Sequence, residues 1–108
     1  MIYKFKSKAS ADVIMLGGTG DELLRLIGKQ PAPQGIIESP AMPTAIAALE
    51  LAVAADDEAR ARDEAEATAQ GRKPPRRGDA VSLRQRAWPL VEMLKRAQAA
   101  GKDVVWGV

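Results

Sequence analysis

Proton transfer and transition-metal binding in proteins lean on histidine and cysteine, and this chain of 108 residues has neither. The usual proton shuttle, thiolate nucleophiles, disulfides and sulfur-based zinc sites are thereby removed. Carboxylates, lysines, Tyr3 and hydroxyls are what remain for acid–base work. Glu92 and Asp103 stand nearest the aromatic C-terminal stretch and are the acids least unsuited to it. Yet Glu92 precedes Arg96 by four residues, the favoured helical order for a plain ion pair. The acidic block of Asp56, Asp57, Glu58, Asp63, Glu64 and Glu66 could attract Mg²⁺ or Ca²⁺, but it lacks the spacing and central glycine of a calcium loop. With Arg60 and Arg62 at pairing distance along a helix, it reads as a solubilising surface. The sequence thus names no catalytic residue, no metal ligand and no cofactor.

Binding is better served, by three groups of residues. Gly17, Gly18, Thr19 and Gly20 precede a helix, where backbone N–H groups can converge on an anion. Neither the glycine spacing of a dinucleotide fingerprint nor the lysine of a P-loop accompanies them, and Asp21 and Glu22 would place negative charge beside the ligand. Thr19 with Glu22 also forms a capping-box pattern, and ordinary capping is the stronger reading. Arg72, Lys73, Arg76 and Arg77 could meet nucleic-acid phosphates. They have no aromatic residue among them for base stacking, and the acidic block upstream opposes the same contact. Trp88 and Trp106, with Met42 and Met93, are the candidates for a protein interface, because tryptophan is enriched where binding energy concentrates. Core packing is the competing reading.

The elements that position these residues follow from periodicity. Tyr3 and Phe5 alternate with Lys4 and Lys6, which predicts a half-buried strand over Ile2 to Lys6. The run Val13 to Leu16 satisfies both periods, and the shared face of Ala9, Val13 and Leu16 favours a short helix. A second helix is expected to start at Gly20, bury Leu23, Leu24, Leu26 and Ile27, and end at Gly28. Pro31 and Pro33 then delay regular structure until a short edge strand at Ile36 and Ile37. Ser39 is a candidate cap, with Pro40 at the first helical position. The helix that follows, near 40–66, carries the stripe Met42, Ile46, Leu49 and Val53.

Beyond Val53 nothing larger than alanine is apolar as far as Ala80, so residues 56–78 are expected to form a solvated helix end and a mobile charged connector. Ser82 with Gln85 offers another capping box, or Asp79 starts that helix earlier. Leu83, Ala87, Leu90, Val91, Leu94 and Ala97 give it one buried stripe near 82–100. Pro89 should kink it or mark its start near Trp88. Gly101 is a stop, and Val104, Val105, Trp106 and Val108 read as a strand with a central place in a small sheet.

The predicted architecture is a single α+β domain over 1–108. A two- to three-stranded sheet includes both terminal strands and is packed by three to four helices. Formal net charge is +2, the start lacks the pattern of a secretory signal, and no stretch approaches a membrane span. A soluble, cytoplasmic, non-catalytic protein is expected, acting on a protein partner or on itself, with nucleic-acid association through the basic run as the alternative and anion binding at the glycine turn as the next.

Several segments together carry a resemblance. The opening IYKFKSKASADVIML, LLRLIGK in the second helix, GIIE before MPTAIAALE, and GDAVSLRQRAWPLVEMLKRA with its VVWG ending resemble a bacterial family catalogued as domain of unknown function 1840. The likeness spans nearly the whole chain and implies a small bacterial cytosolic protein. It carries over no activity and no site residue. Asp56 to Arg77 is the stretch expected to vary most, since solvated segments tolerate change.

Overall fold

The computed structural model describes residues 2–71 and 81–108. The chain opens with a hairpin, β1 (Ile2–Ser7) and β2 (Ser10–Leu16), and passes without a loop into α1 (Gly17–Leu26). After β3 (Gly35–Ile37) and a 3₁₀ turn (Ser39–Ala41) come the long α2 (Met42–Ala69), then α3 (Leu83–Ala100) and β4 (Val104–Trp106). The described residues thus hold three α-helices and one antiparallel sheet of four strands in the order β2-β1-β4-β3. Both terminal strands are in it and pair with each other, Phe5 opposite Trp106 and Lys6 opposite Val105.

The fourth strand is β2, where a helix was expected. Long-range pairing decides what the local sequence left ambiguous: Val13 lies opposite Phe5 and Met15 opposite Tyr3. Val13 and Met15 pack against the core while Asp12, Ile14 and Leu16 are exposed, a period of two and not of three to four. At the hairpin turn, the Ala9 N–H donates to the Ser7 hydroxyl at 3.2 Å. Because β2 runs straight into α1, that helix starts at Gly17, three residues before the expected Gly20, and Thr19 lies inside it. The cap position falls on Leu16, with no side-chain hydrogen bond, so the expected Thr19–Glu22 capping box does not form.

One face of the sheet packs against the helices. Tyr3, Phe5, Ile37, Val104 and Trp106 meet Leu23 and Leu24 of α1, Met42, Ile46, Leu49 and Val53 of α2, and the whole predicted stripe of α3 with Met93. The Tyr3 and Phe5 rings stack at 5.7 Å, and Trp106 meets Phe5 edge-on at 5.7 Å. Two glycines make room for this aromatic row: a Cβ at Gly20 would overlap the Tyr3 ring, and one at Gly35 would overlap the Trp106 indole. The Trp106 indole N–H is satisfied by the Ala32 carbonyl at 2.8 Å, which ties the loop before β3 to the core.

The helix ends obey the sequence in part. Gly28 (φ 84°) and Gly101 (φ 66°) close α1 and α3 in the left-handed region, each followed by a hydrogen bond that reaches back to the helix, from Lys29 N–H to the Leu24 carbonyl and from Lys102 N–H to that of Ala97. Ser82 and Gln85 form the predicted capping box, α3 starts at Leu83, and Pro89 lies inside it. Ser39 is not a side-chain cap; its N–H donates to the Asp103 carboxylate at 2.8 Å, which fastens the 3₁₀ turn to the start of β4. Regular helix continues to Ala69, past the expected end near residue 66. The rest of the expected connector, 72–78, lies outside the described residues.

Candidate interaction surfaces

Trp106, Met42 and Met93 are core residues, each at most 3% exposed, and present no surface to a partner. Of the four interface candidates Trp88 alone is exposed, at 48%. The Lys95 ammonium sits 5.8 Å from its ring centroid and also pairs with Glu50 at 3.7 Å, so the indole lies along the α2–α3 seam. Beside it Arg84, Gln85 and Pro89 complete a shallow, open depression of about 400 Å³.

The glycine turn does other work. Gly17 to Gly20 form the first turn of α1, and Gly20 is needed where Tyr3 packs. The Tyr3 hydroxyl donates to Asp21 at 2.5 Å, and Glu22 pairs with Arg86 at 2.9 Å. An anion at this helix end would approach two carboxylates. The hydrogen bond to Asp21, then burial, push the Tyr3 phenol up to about 12, so Tyr3 stays protonated at neutral pH and is no base.

The acidic block, read from sequence as a solvated face, begins as a fastening. Asp56 accepts from Arg60 at 2.9 Å, the predicted i,i+4 pair, and from the Leu83 N–H at 3.2 Å, one of the N–H groups that the start of α3 leaves open. Asp57 accepts from Arg84 through two nitrogens at 3.0 and 2.6 Å. The two acids thus pin the N-terminus of α3 against α2. Among the described residues no three His, Cys, Asp or Glu side chains are placed to hold a metal ion. Asp103 is engaged by Ser39, and Glu92 is partly exposed on α3. Arg72, Lys73, Arg76 and Arg77 lie outside the described residues.

Two surfaces were missed by reading the chain locally. The first is the outer face of the sheet with the free edge of β2. Register places Leu16 beside Ile2 and Ile14 beside Lys4, and Ile2, Ile14 and Leu16 are 64%, 64% and 73% exposed. A strand reading of residues 10–16 would have revealed it, because alternation then turns Ile14 and Leu16 outward. The second is a concavity of about 470 Å³ between the β1–β2 turn and the α3–β4 loop, lined by Lys6, Lys8 and Lys102 among others. No local signal could have found it, since its two sides are more than ninety residues apart in the chain.

Fold and surfaces together define a small α+β protein with an exposed apolar sheet face and a lysine-lined concavity. No helix among the described residues is long and apolar enough to cross a membrane. The chain belongs to the family described as Domain of unknown function (DUF1840), whose profile matches residues 1–106. No curated protein and no solved structure matches it.

Proposed function

We propose that this protein works by association and not by catalysis, as a small interaction module that pairs with a second copy of itself through the edge of β2. The observation that carries the reading is the contrast between the two edges of its sheet. Proteins guard free strand edges with shortness, proline, lysine or bulges, because unpaired N–H and C=O groups invite another strand. The β3 edge is three residues long and follows Pro31 and Pro33. The β2 edge is seven residues long, SADVIML, with neither lysine nor proline; among the described residues it bonds to β1 alone, and the one irregularity in that pairing, between Phe5 and Ser7, lies toward the turn and leaves the register of 13–16 intact.

Charge selects the occupant. Antiparallel pairing of two β2 strands about a two-fold axis at Val13 sets Asp12 of one copy opposite Ile14 of the other, in the same cross-strand row as the second copy's Lys4. Two strand spacings, about 9.5 Å, separate those backbones, a gap that a lysine side chain and a carboxylate bridge together. Within one chain Lys4 already reaches Asp12 at 3.6 Å, so the dimer would join two such pairs into one network. An axis at Asp12 would oppose like charges instead.

Light scattering or sedimentation across a concentration series tests this. The expected mass approaches twice 11.5 kDa as concentration rises. Asp12→Lys should weaken assembly about tenfold or more, as expected for like charges brought into one row, and Lys4→Asp/Asp12→Lys should restore it. A wild-type chain that stays monomeric into the millimolar range ends the proposal.

A further inference from the structure

We propose that the concavity between the β1–β2 turn and the α3–β4 loop binds a small phosphorylated molecule. Its lining is Lys6, Ser7 and Lys8 from one side and Gly101, Lys102, Asp103 and Val105 from the other. Pairing of the terminal strands, Lys6 opposite Val105, brings the two sides together. At about 470 Å³ the space falls within the range of small-ligand sites.

Some basic side chains of the described residues have an acid within ion-pair distance and others, Arg25, Lys29, Arg62 and Arg96 among them, do not; what sets this lining apart is that three of the second kind share one hollow. Lys4, Lys95, Arg60, Arg84 and Arg86 each have an acid within ion-pair distance. Lys6, Lys8 and Lys102 have none among the described residues, although they crowd one hollow. The single acid in the lining, Asp103, is already engaged by the Ser39 N–H. Three lysines less one aspartate leave an excess of +2. That matches a phosphate monoester, which carries about −1.5 to −2 near neutral pH.

Hydrogen bonding points the same way. Ser7 Oγ accepts from the Ala9 N–H, which leaves its own proton to donate to a phosphate oxygen. Val105 supplies an apolar wall for the carbon skeleton. The C-terminus of α3 is the unfavourable neighbour, since its dipole presents negative charge to an anion. Its effect is blunted, because Gly101 and Lys102 N–H groups already cover the Gln98 and Ala97 carbonyls. The lysine side chains are solvated, so the site should bind modestly and lose affinity with salt. No β2 residue lines it, so it stands apart from the dimer.

Amide resonances of the full chain, followed at low ionic strength while phenyl phosphate or inorganic phosphate is added, give the test. Both probes should shift residues 6–8 and 101–105 saturably and leave the start of α1 unmoved; phenyl phosphate should bind more tightly if the apolar wall takes part. Lys6→Gln/Lys102→Gln should raise the midpoint about fivefold or more. Lys102→Arg should retain it, which separates loss of charge from loss of fold. Phenol, or chloride at matched ionic strength, should shift nothing. Absence of saturation, shifts spread evenly over all surface lysines, or equal binding by the double glutamine variant would each overturn the proposal.

Discussion

On the inner face of the sheet Tyr3, Phe5, Ile37, Val104 and Trp106 are sealed and Val13 and Met15 partly covered, whereas on the outer face Ile2, Ile14 and Leu16 stand open to water. The same strands make both faces, with one residue separating an inward from an outward position, so the difference is not one of local propensity. Inner residues are held by what they touch: Phe5 lies between Tyr3 and Trp106 and under the helices. Outer residues gain little from folding, because most of their surface is still wet in the folded chain. A scattered exposed isoleucine needs no explanation. Two isoleucines and a leucine side by side at a free strand edge gain little for the stability of a single chain. On the self-association proposed above, the outer face is the surface for contact, while the inner face holds the fold together.

The sharpest way to break this comparison is to truncate one residue from each face and measure urea unfolding at concentrations where the chain is monomeric. Phe5→Ala removes a ring from a sealed site and should cost about 3–5 kcal/mol. Ile14→Ala, one strand away on the open face, should stay within about 0.5 kcal/mol. Equal costs would mean that the outer face is as much part of the fold as the inner one.

A smaller effect separates glycines required by the inner face from one that is not. Gly35→Ala forces a methyl into the Trp106 indole and should destabilise by about 1–3 kcal/mol. Gly18 has nothing within 4 Å of where its Cβ would lie and sits in α1, so Gly18→Ala should be neutral or stabilising by up to about 1 kcal/mol. Thermal unfolding of the pair reads the sign directly. Gly35→Ala as stable as wild type would show that the aromatic row has slack.

Much of the inner face was legible in the sequence, because burial leaves a period. The alternation of Tyr3 and Phe5, the α2 stripe from Met42 to Val53 and the α3 stripe from Leu83 to Ala97 all became core. Ser82 with Gln85 and the glycines at 28 and 101 marked helix ends because their chemistry is local. The candidate surfaces were harder to read. Residues 10–16 form a strand only through pairing with β1, a contact that no window on the chain contains. Thr19 and Glu22 had the right spacing for a cap but lie in a helix that had already begun. Asp56 and Asp57 were recognised as helix-surface acids, and Asp56 does pair with Arg60, but their grip on the start of α3 joins residues 27 apart in the chain. Lys6, Lys8 and Lys102 meet only because the terminal strands do.

The smallest effect concerns the polar tip of the inner face. Tyr3 is the single tyrosine of the sequence; its ring is sealed and its hydroxyl reaches Asp21. Folding raises the phenol from 10.0 to about 12, first through the hydrogen bond to Asp21 and then through burial. A raised value means that the folded chain holds this proton more tightly than the unfolded one. The resulting stabilisation is fully present below about pH 10 and is lost as pH climbs from there through about 12. Tyr3→Phe removes this contribution and leaves every other ionisable side chain in place. The stability difference between wild type and Tyr3→Phe should therefore be constant up to about pH 10 and shift in favour of Tyr3→Phe above it. Phenolate absorbance gives an independent reading in the native chain. A phenol that ionises near 10 with the fold intact would mean that the inner face admits water at Tyr3, and the contrast with the outer face would narrow at that corner of the sheet.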